Sequence, residues 1–230
     1  MGAGLSVPFF AQLQGLLVTG GPVVWILAVF SAVAMTIILV KMWQFMLARA
    51  ESTADVDAAL SLWKKGDRRN AVRALNVRRP ISSVVAMAMQ GQLNTTDDGI
   101  LREEVERVAT GYLNDLRSFF RPLEVIGSLS PLLGLLGTVM GMIVAFQQME
   151  AAGNQVDPSV LSGGIWQALL TTAVGLSVAI PVVAVHSWLE RKVERVSATM
   201  SDAVTRVFTC SPTLPPFETA ASSEALRNAA

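Results

Sequence analysis

This sequence is short of charge. Asp, Glu, Lys and Arg make up 16% of its 230 residues, and none of them falls in 22–40, 126–146 or 165–189. So few charges exclude an ordinary water-soluble domain of this length. A single cysteine, Cys210, excludes a disulfide framework within the chain and reads as an inert reduced thiol. Net charge is zero, so there is no global basic field and no nucleic-acid partner is expected. There is no HExxH, no GxSxG with a suitable partner and no pair of aspartates in an apolar segment. Those absences argue against an intramembrane enzyme, so no catalytic residue, metal or cofactor is expected. Residues 1–21 contain no Lys or Arg and lack the basic start of a secretory signal.

Apolar residues are what the chain does have: 52% of it, with a mean hydropathy of +0.48. Segments 22–40, 126–146 and 165–189 are each close to the ~20 residues a helix needs to cross a bilayer. Lys41 stops the first, and Glu190, Arg191 and Lys192 end the third. The expected fold class is an all-α integral membrane protein with three transmembrane helices, whose long helices extend into a cytoplasmic helical domain. All 18 Lys and Arg lie in 41–121 or 191–227. The positive-inside rule therefore puts the N-terminus and the connection 147–164 outside, and the C-terminus inside. Trp25, Trp43, Trp166 and Trp188 sit near span ends, as an aromatic belt predicts.

Punctuation residues divide the rest. Residues 1–21 form an outer N-terminal segment, with an interfacial helix over 5–19 that Gly20, Gly21 and Pro22 break. The cytoplasmic domain spans 41–125. Its first helix continues the first span and is interrupted at Lys65, Gly66 and Asp67. Arg78, Arg79 and Pro80 make another break, and a short helix follows over 82–89. Thr96, Asp97 and Asp98 then cap a helix running from Ile100 to Phe120 and into the second span, with Pro122 at the membrane surface. Asp157 and Pro158 open a helix that carries the third span. Val193, Val196, Met200, Val204 and Val207 keep its rhythm through a cytoplasmic helix over 190–209. The tail 210–230 is small, polar and Pro-containing, and reads as disordered. No internal repeat is visible.

Small and hydroxyl residues mark the second and third spans. At 100° per residue, Gly134, Thr138, Gly141 and Ala145 share a face, and Gly137 pairs with Gly141 as GxxxG. Ala168, Thr172, Gly175, Ala179 and His186 share a face of the third span, with Thr171 at its edge. Such faces let helices approach closely in lipid. Two accounts of the threonines stay open: packing with each hydroxyl bonded to its own helix, or a shared inner surface. Pro131 and Pro181 are expected to kink their helices, with the freed carbonyls satisfied by neighbouring groups. The spans hold no carboxylate, so any proton relay through them needs an acid from a partner helix. His186 is of a residue type that can serve a relay, but an interfacial histidine is the preferred account.

SPLLGLLGTVMGM (130–142) and GGIWQALLTTAVGLSVAIP (163–181) together resemble the ExbB/TolQ family, relatives of the MotA stator. The resemblance covers most of the chain, and ExbB of a TonB energy-transduction system is the most similar member. It implies a homo-pentamer in the bacterial inner membrane, whose second and third spans line a pore. Within that pore sit helices of an ExbD-like (or TolR-like) protein, whose aspartate carries the proton and through which work passes to a TonB-like protein. Carried over by position, Thr138 and Thr172 are pore-lining, with Thr171 and Gln167 on the same pathway. Gly134, Gly137, Gly141, Gly175, Ala179, Pro131 and Pro181 serve helix packing. The family usually has Glu where this chain has Gln167. The resemblance leaves two other outputs open: a TolQ-like envelope or motility stator, and a non-conducting scaffold.

Overall fold

A computed structural model of the chain describes residues 20–48, 53–94, 97–152 and 158–210. The expected helix over 5–19 and the tail beyond Cys210 lie outside them. Seven helices are present among the described residues: α1 (Gly21–Ala48), α2 (Ala54–Lys64), α3 (Arg68–Ala74), α4 (Pro80–Leu93), α5 (Asp98–Arg117), α6 (Phe120–Ala152) and α7 (Pro158–Thr209). The described residues contain no strand. Stretches long and apolar enough to cross a membrane lie in Gly21–Met46, Asp98–Ala151 and Leu161–Thr209, at mean hydropathies of 2.8, 2.0 and 2.2. Trp25, Val29, Val33, Leu132, Leu135, Val139, Leu169 and Ile180 all stay exposed on the single chain. So much uncovered apolar surface requires lipid or other chains around it.

The helix boundaries follow local chemistry. Gly66 takes φ +86, a left-handed step open to glycine, and so ends α2 where the sequence placed an interruption. Arg79 is extended at φ −98 and ψ 137 because Pro80 follows it, and Pro80 then opens α4. Asp97 starts α5: its Oδ1 accepts the Gly99 N–H at 2.8 Å and its carbonyl accepts the Leu101 N–H at 2.9 Å. The expected single helix from Ile100 into the second span is instead two. Phe119, at φ 65, breaks it between α5 and α6. A non-glycine residue in that conformation costs about 1–2 kcal/mol, so neighbouring contacts must hold it there.

The chain divides into two compact units. One comprises Met1–Leu47 and Arg117–Val193 and contains the three spans. The other comprises Ala48–Leu116 and Glu194–Ala230. In the second, Val56, Ala59, Trp63, Val84, Val85, Met89, Leu101, Val105, Met200 and Val207 are buried. The Trp63 indole N–H donates to the Val207 carbonyl at 3.3 Å. An open cavity of about 470 Å³ lies between Arg102–Leu113 of α5 and Ser197–Phe208 of α7, and the Arg102 guanidinium sits 4.6 Å over the Phe208 ring.

Asp55 ties α2 to α4 in this unit. Its carboxylate accepts from the Arg79 guanidinium at 2.9 Å, the Ser82 hydroxyl at 2.6 Å and the Asn76 N–H at 3.1 Å. Burial pushes the carboxyl up. The Ser82 hydroxyl, the Asn76 N–H, its own N–H and the Arg79 charge outweigh that and hold it below the ordinary carboxylate range.

Candidate functional site: the glycine seam of α6 and α7

The backbones of α6 and α7 approach closely, inside the unit that holds the spans. A Cβ added at Gly175 would lie 2.6 Å from the Ser130 carbonyl oxygen and 3.1 Å from the Gly134 Cα. One at Gly134 would lie 3.1 Å from both the Thr171 carbonyl oxygen and the Thr172 Cα. One at Gly137 would meet the Thr171 side chain, with Oγ1 at 2.5 Å. Gly141 meets Ala168, and Gly164 meets Ala145. As α6 is followed forward its partners on α7 run backward, so the two helices are antiparallel. Glycine recurs at these points because no side chain fits between the backbones.

Three hydroxyls lie along the seam. Thr171 is 2% exposed; its Oγ1 donates to the Ala168 carbonyl at 2.7 Å and reaches the Gly134 carbonyl at 3.3 Å. The half-buried Thr172 Oγ1 donates to the same Gly134 carbonyl at 3.2 Å. The buried Ser130 Oγ donates to Ile126 at 2.6 Å. Thr138 is less covered, and its Oγ1 donates to the Leu135 carbonyl at 2.6 Å. Each hydroxyl proton is thus given to a backbone carbonyl. What the oxygens retain is lone pairs, so these groups present acceptors to anything that approaches them.

Gln167 stands apart from the threonines. Its amide nitrogen is the nearest neighbour of Gly21, 3.7 Å from where a Cβ would stand, so it lies against the start of α1. Gly21 itself takes φ +66. Ala179 is buried. Pro131 and Pro181 lie inside α6 and α7, which run unbroken through both. Each removes one N–H from its helix, at the Gly127 and Ser177 carbonyls. The His186 ring makes an edge-to-face contact with Phe120, with centroids 5.7 Å apart.

The structure therefore brings Gly134, Gly137, Gly141, Gly175, Thr171 and Thr172 together, leaves Thr138 more open, and puts Gln167 beside another span. Sequence reasoning missed Ser130 and Gly164 as seam residues. It also read Lys41 only as the stop of the first span, whereas its side chain is fully buried. A signal for Lys41 was present. Leu27, Ala34 and Lys41 recur every seven residues, and the structure buries all three.

Comparisons with known proteins bear on this unit and beyond it. The model of a family described as the MotA/TolQ/ExbB proton channel family matches residues 76–202. Biopolymer transport protein exbB1 of Vibrio cholerae is 29% identical over 203 residues, covering 83% of this chain and 86% of its own. Biopolymer transport protein ExbB of Pseudomonas putida is 28% identical over 189 residues, covering 79% of this chain and 56% of its own. In Salmonella typhimurium the protein of that name is 38% identical over 85 residues, 37% of this chain and 34% of its own.

Proposed function

Since the chain belongs to the MotA/TolQ/ExbB proton channel family, we propose that it is the ExbB-like subunit of a proton-driven motor in the bacterial inner membrane. Its N-terminus is periplasmic and its C-terminus cytoplasmic. Five copies surround an ExbD-like partner, and the assembly converts proton-motive force into work on a TonB-like protein. The similarity to proteins named for biopolymer transport supports an ExbB-like over a TolQ-like output.

One observation carries the mechanism. The three spans hold no carboxylate, while the Thr138 and Thr172 hydroxyls have committed their protons to backbone carbonyls. A ring of such hydroxyls offers lone pairs to whatever occupies the pore. It accepts a hydrogen bond from a protonated carboxyl or a water, and repels a bare carboxylate. The lining thus suits the neutral form of the partner's aspartate better than the ionised one. Protonation from the periplasmic side makes the acid compatible with the lining, and release to the cytoplasm makes it incompatible. That difference between two states is what a motor step requires. Gln167 cannot titrate, so it serves as a hydrogen-bonding group beside the first span and not as a proton station.

Purification with an ExbD-like protein and native mass spectrometry tests the assembly, with five copies of this chain per complex as the expected result. A stable monomer in mild detergent would remove the basis of the proposal. Proton flux into vesicles holding both proteins separates the motor from a non-conducting scaffold, which would pass none.

A further inference from the structure

The Lys41 side chain is 0% exposed at the end of an apolar span. A buried ammonium is retained only where its surroundings replace the water it has lost. Here the Nζ donates to Gln44 Oε1 at 2.9 Å and to Ser118 Oγ at 2.9 Å. It also stands 5.9 Å from the Phe119 ring centroid and 5.7 Å from that of Phe120, within reach of both π faces. Ser118, Phe119 and Phe120 are the residues through which α5 gives way to α6, and Phe119 holds its left-handed φ of 65 there. The Phe119 ring is exposed, so its own packing does not explain that conformation. The lysine contacts all three residues of the turn.

We propose that Lys41 is a positioning residue: its buried ammonium locks the left-handed turn at Phe119 and so fixes the end of the first span to the start of the second. The lock belongs to neither the glycine seam nor the hydroxyl lining. It would set the relative height of α1 and α6, because Ser118 and both rings lie on the α6 side and are held from a side chain at the end of α1. With the lysine in place the disfavoured backbone at Phe119 is held; without it the turn relaxes towards ordinary φ.

The test uses the full chain in lipid nanodiscs and amide hydrogen exchange over 117–122. Lys41→Met keeps the stem and removes the ammonium, and should speed exchange there at least tenfold. Glycine adopts a positive φ without strain. Phe119→Gly should therefore bring the Lys41→Met chain back to within about threefold of the native rate, while Phe119→Ala, which loses the same ring, should not. A residue that merely fills space would show no such difference between Gly and Ala. Native exchange in Lys41→Met, or equal behaviour of Gly and Ala at 119, overturns the proposal. If Lys41→Met does not accumulate, Ser118→Ala takes its place. It should exchange faster and be rescued by the same glycine, and native exchange in Ser118→Ala overturns the proposal equally.

Discussion

Thr171 and Thr172 both reach the Gly134 carbonyl, at 3.3 and 3.2 Å, yet their surroundings differ. Thr171 is enclosed by Gly137 and Ala168, whereas Thr172 is half open. Valine preserves the shape of either and removes the hydroxyl. Thr172→Val should lower energy-dependent uptake by about fivefold, the equivalent of the ~1 kcal/mol of one hydrogen bond, with assembly intact. Thr171→Val should leave uptake closer to native and lower thermal stability instead. Equal uptake by the two variants would return Thr172 to a packing role. Asp55 supports a prediction of a different kind. Its carboxyl is lowered in the folded state, so its stabilisation is present above the unfolded value of about 4 and is lost as pH falls through the folded value. Asp55→Asn should cost about 1–3 kcal/mol at pH 7. The gap in melting temperature between variant and native chain should close as the pH is taken below 4. A gap that stays constant with pH would show that the charge contributes nothing.

Between elements, the α6–α7 seam is limited by backbone and not by adaptable side chains. A Cβ at Gly175 would lie 2.6 Å from the Ser130 carbonyl oxygen, closer than a side chain comes, and a tight 3.1 Å from the Gly134 Cα, and neither backbone atom can rotate away. Gly175→Ala should separate the two helices and cost about 1–3 kcal/mol, the usual range for overpacking. Gly163 supplies the control on the same helix, because an added Cβ there meets nothing within 4 Å. Gly163→Ala should be neutral or stabilising by up to ~1 kcal/mol through helix propensity. Thermal denaturation in detergent reads both, and equal behaviour would mean that the seam is looser than its distances imply.

For the molecule as a whole, orientation rests on where the cations are. None lies in 1–40 or in 122–190, and Glu150 and Asn94 fall on opposite sides of that division. In a Cys210→Ser background, cysteine at 150 should react with an impermeant thiol reagent in intact cells, and cysteine at 94 should not. The opposite labelling pattern would invert the topology and with it the direction of proton flow proposed above. The apolar outer faces of the spans belong to this scale too. Trp166, Leu169, Leu176 and Ile180 are uncovered in one chain, which fits a subunit completed by lipid and by further copies.

The three spans, the breaks at Gly66 and Pro80 and the starts of α5 and α7 could all be read without coordinates, because each depends on residues adjacent in the chain. Apolar length, a left-handed glycine, a proline at a first turn and an Asp cap are local physics. The glycine and threonine positions of the seam were legible as faces for the same reason, since helical periodicity alone decides which residues align. Tertiary structure decided what those faces meet. Which of Thr171 and Thr172 is enclosed depends on how far α7 is rotated against α6, and the backbone distances at Gly134 and Gly175 set that rotation. Lys41 and Phe119 show the same limit more sharply. A lysine after an apolar run normally ends a span in water, and a phenylalanine normally continues a helix. Only the meeting of positions 41 and 118–120, far apart in sequence, buries the first and turns the second, because a buried ammonium takes its partners from wherever the fold brings them.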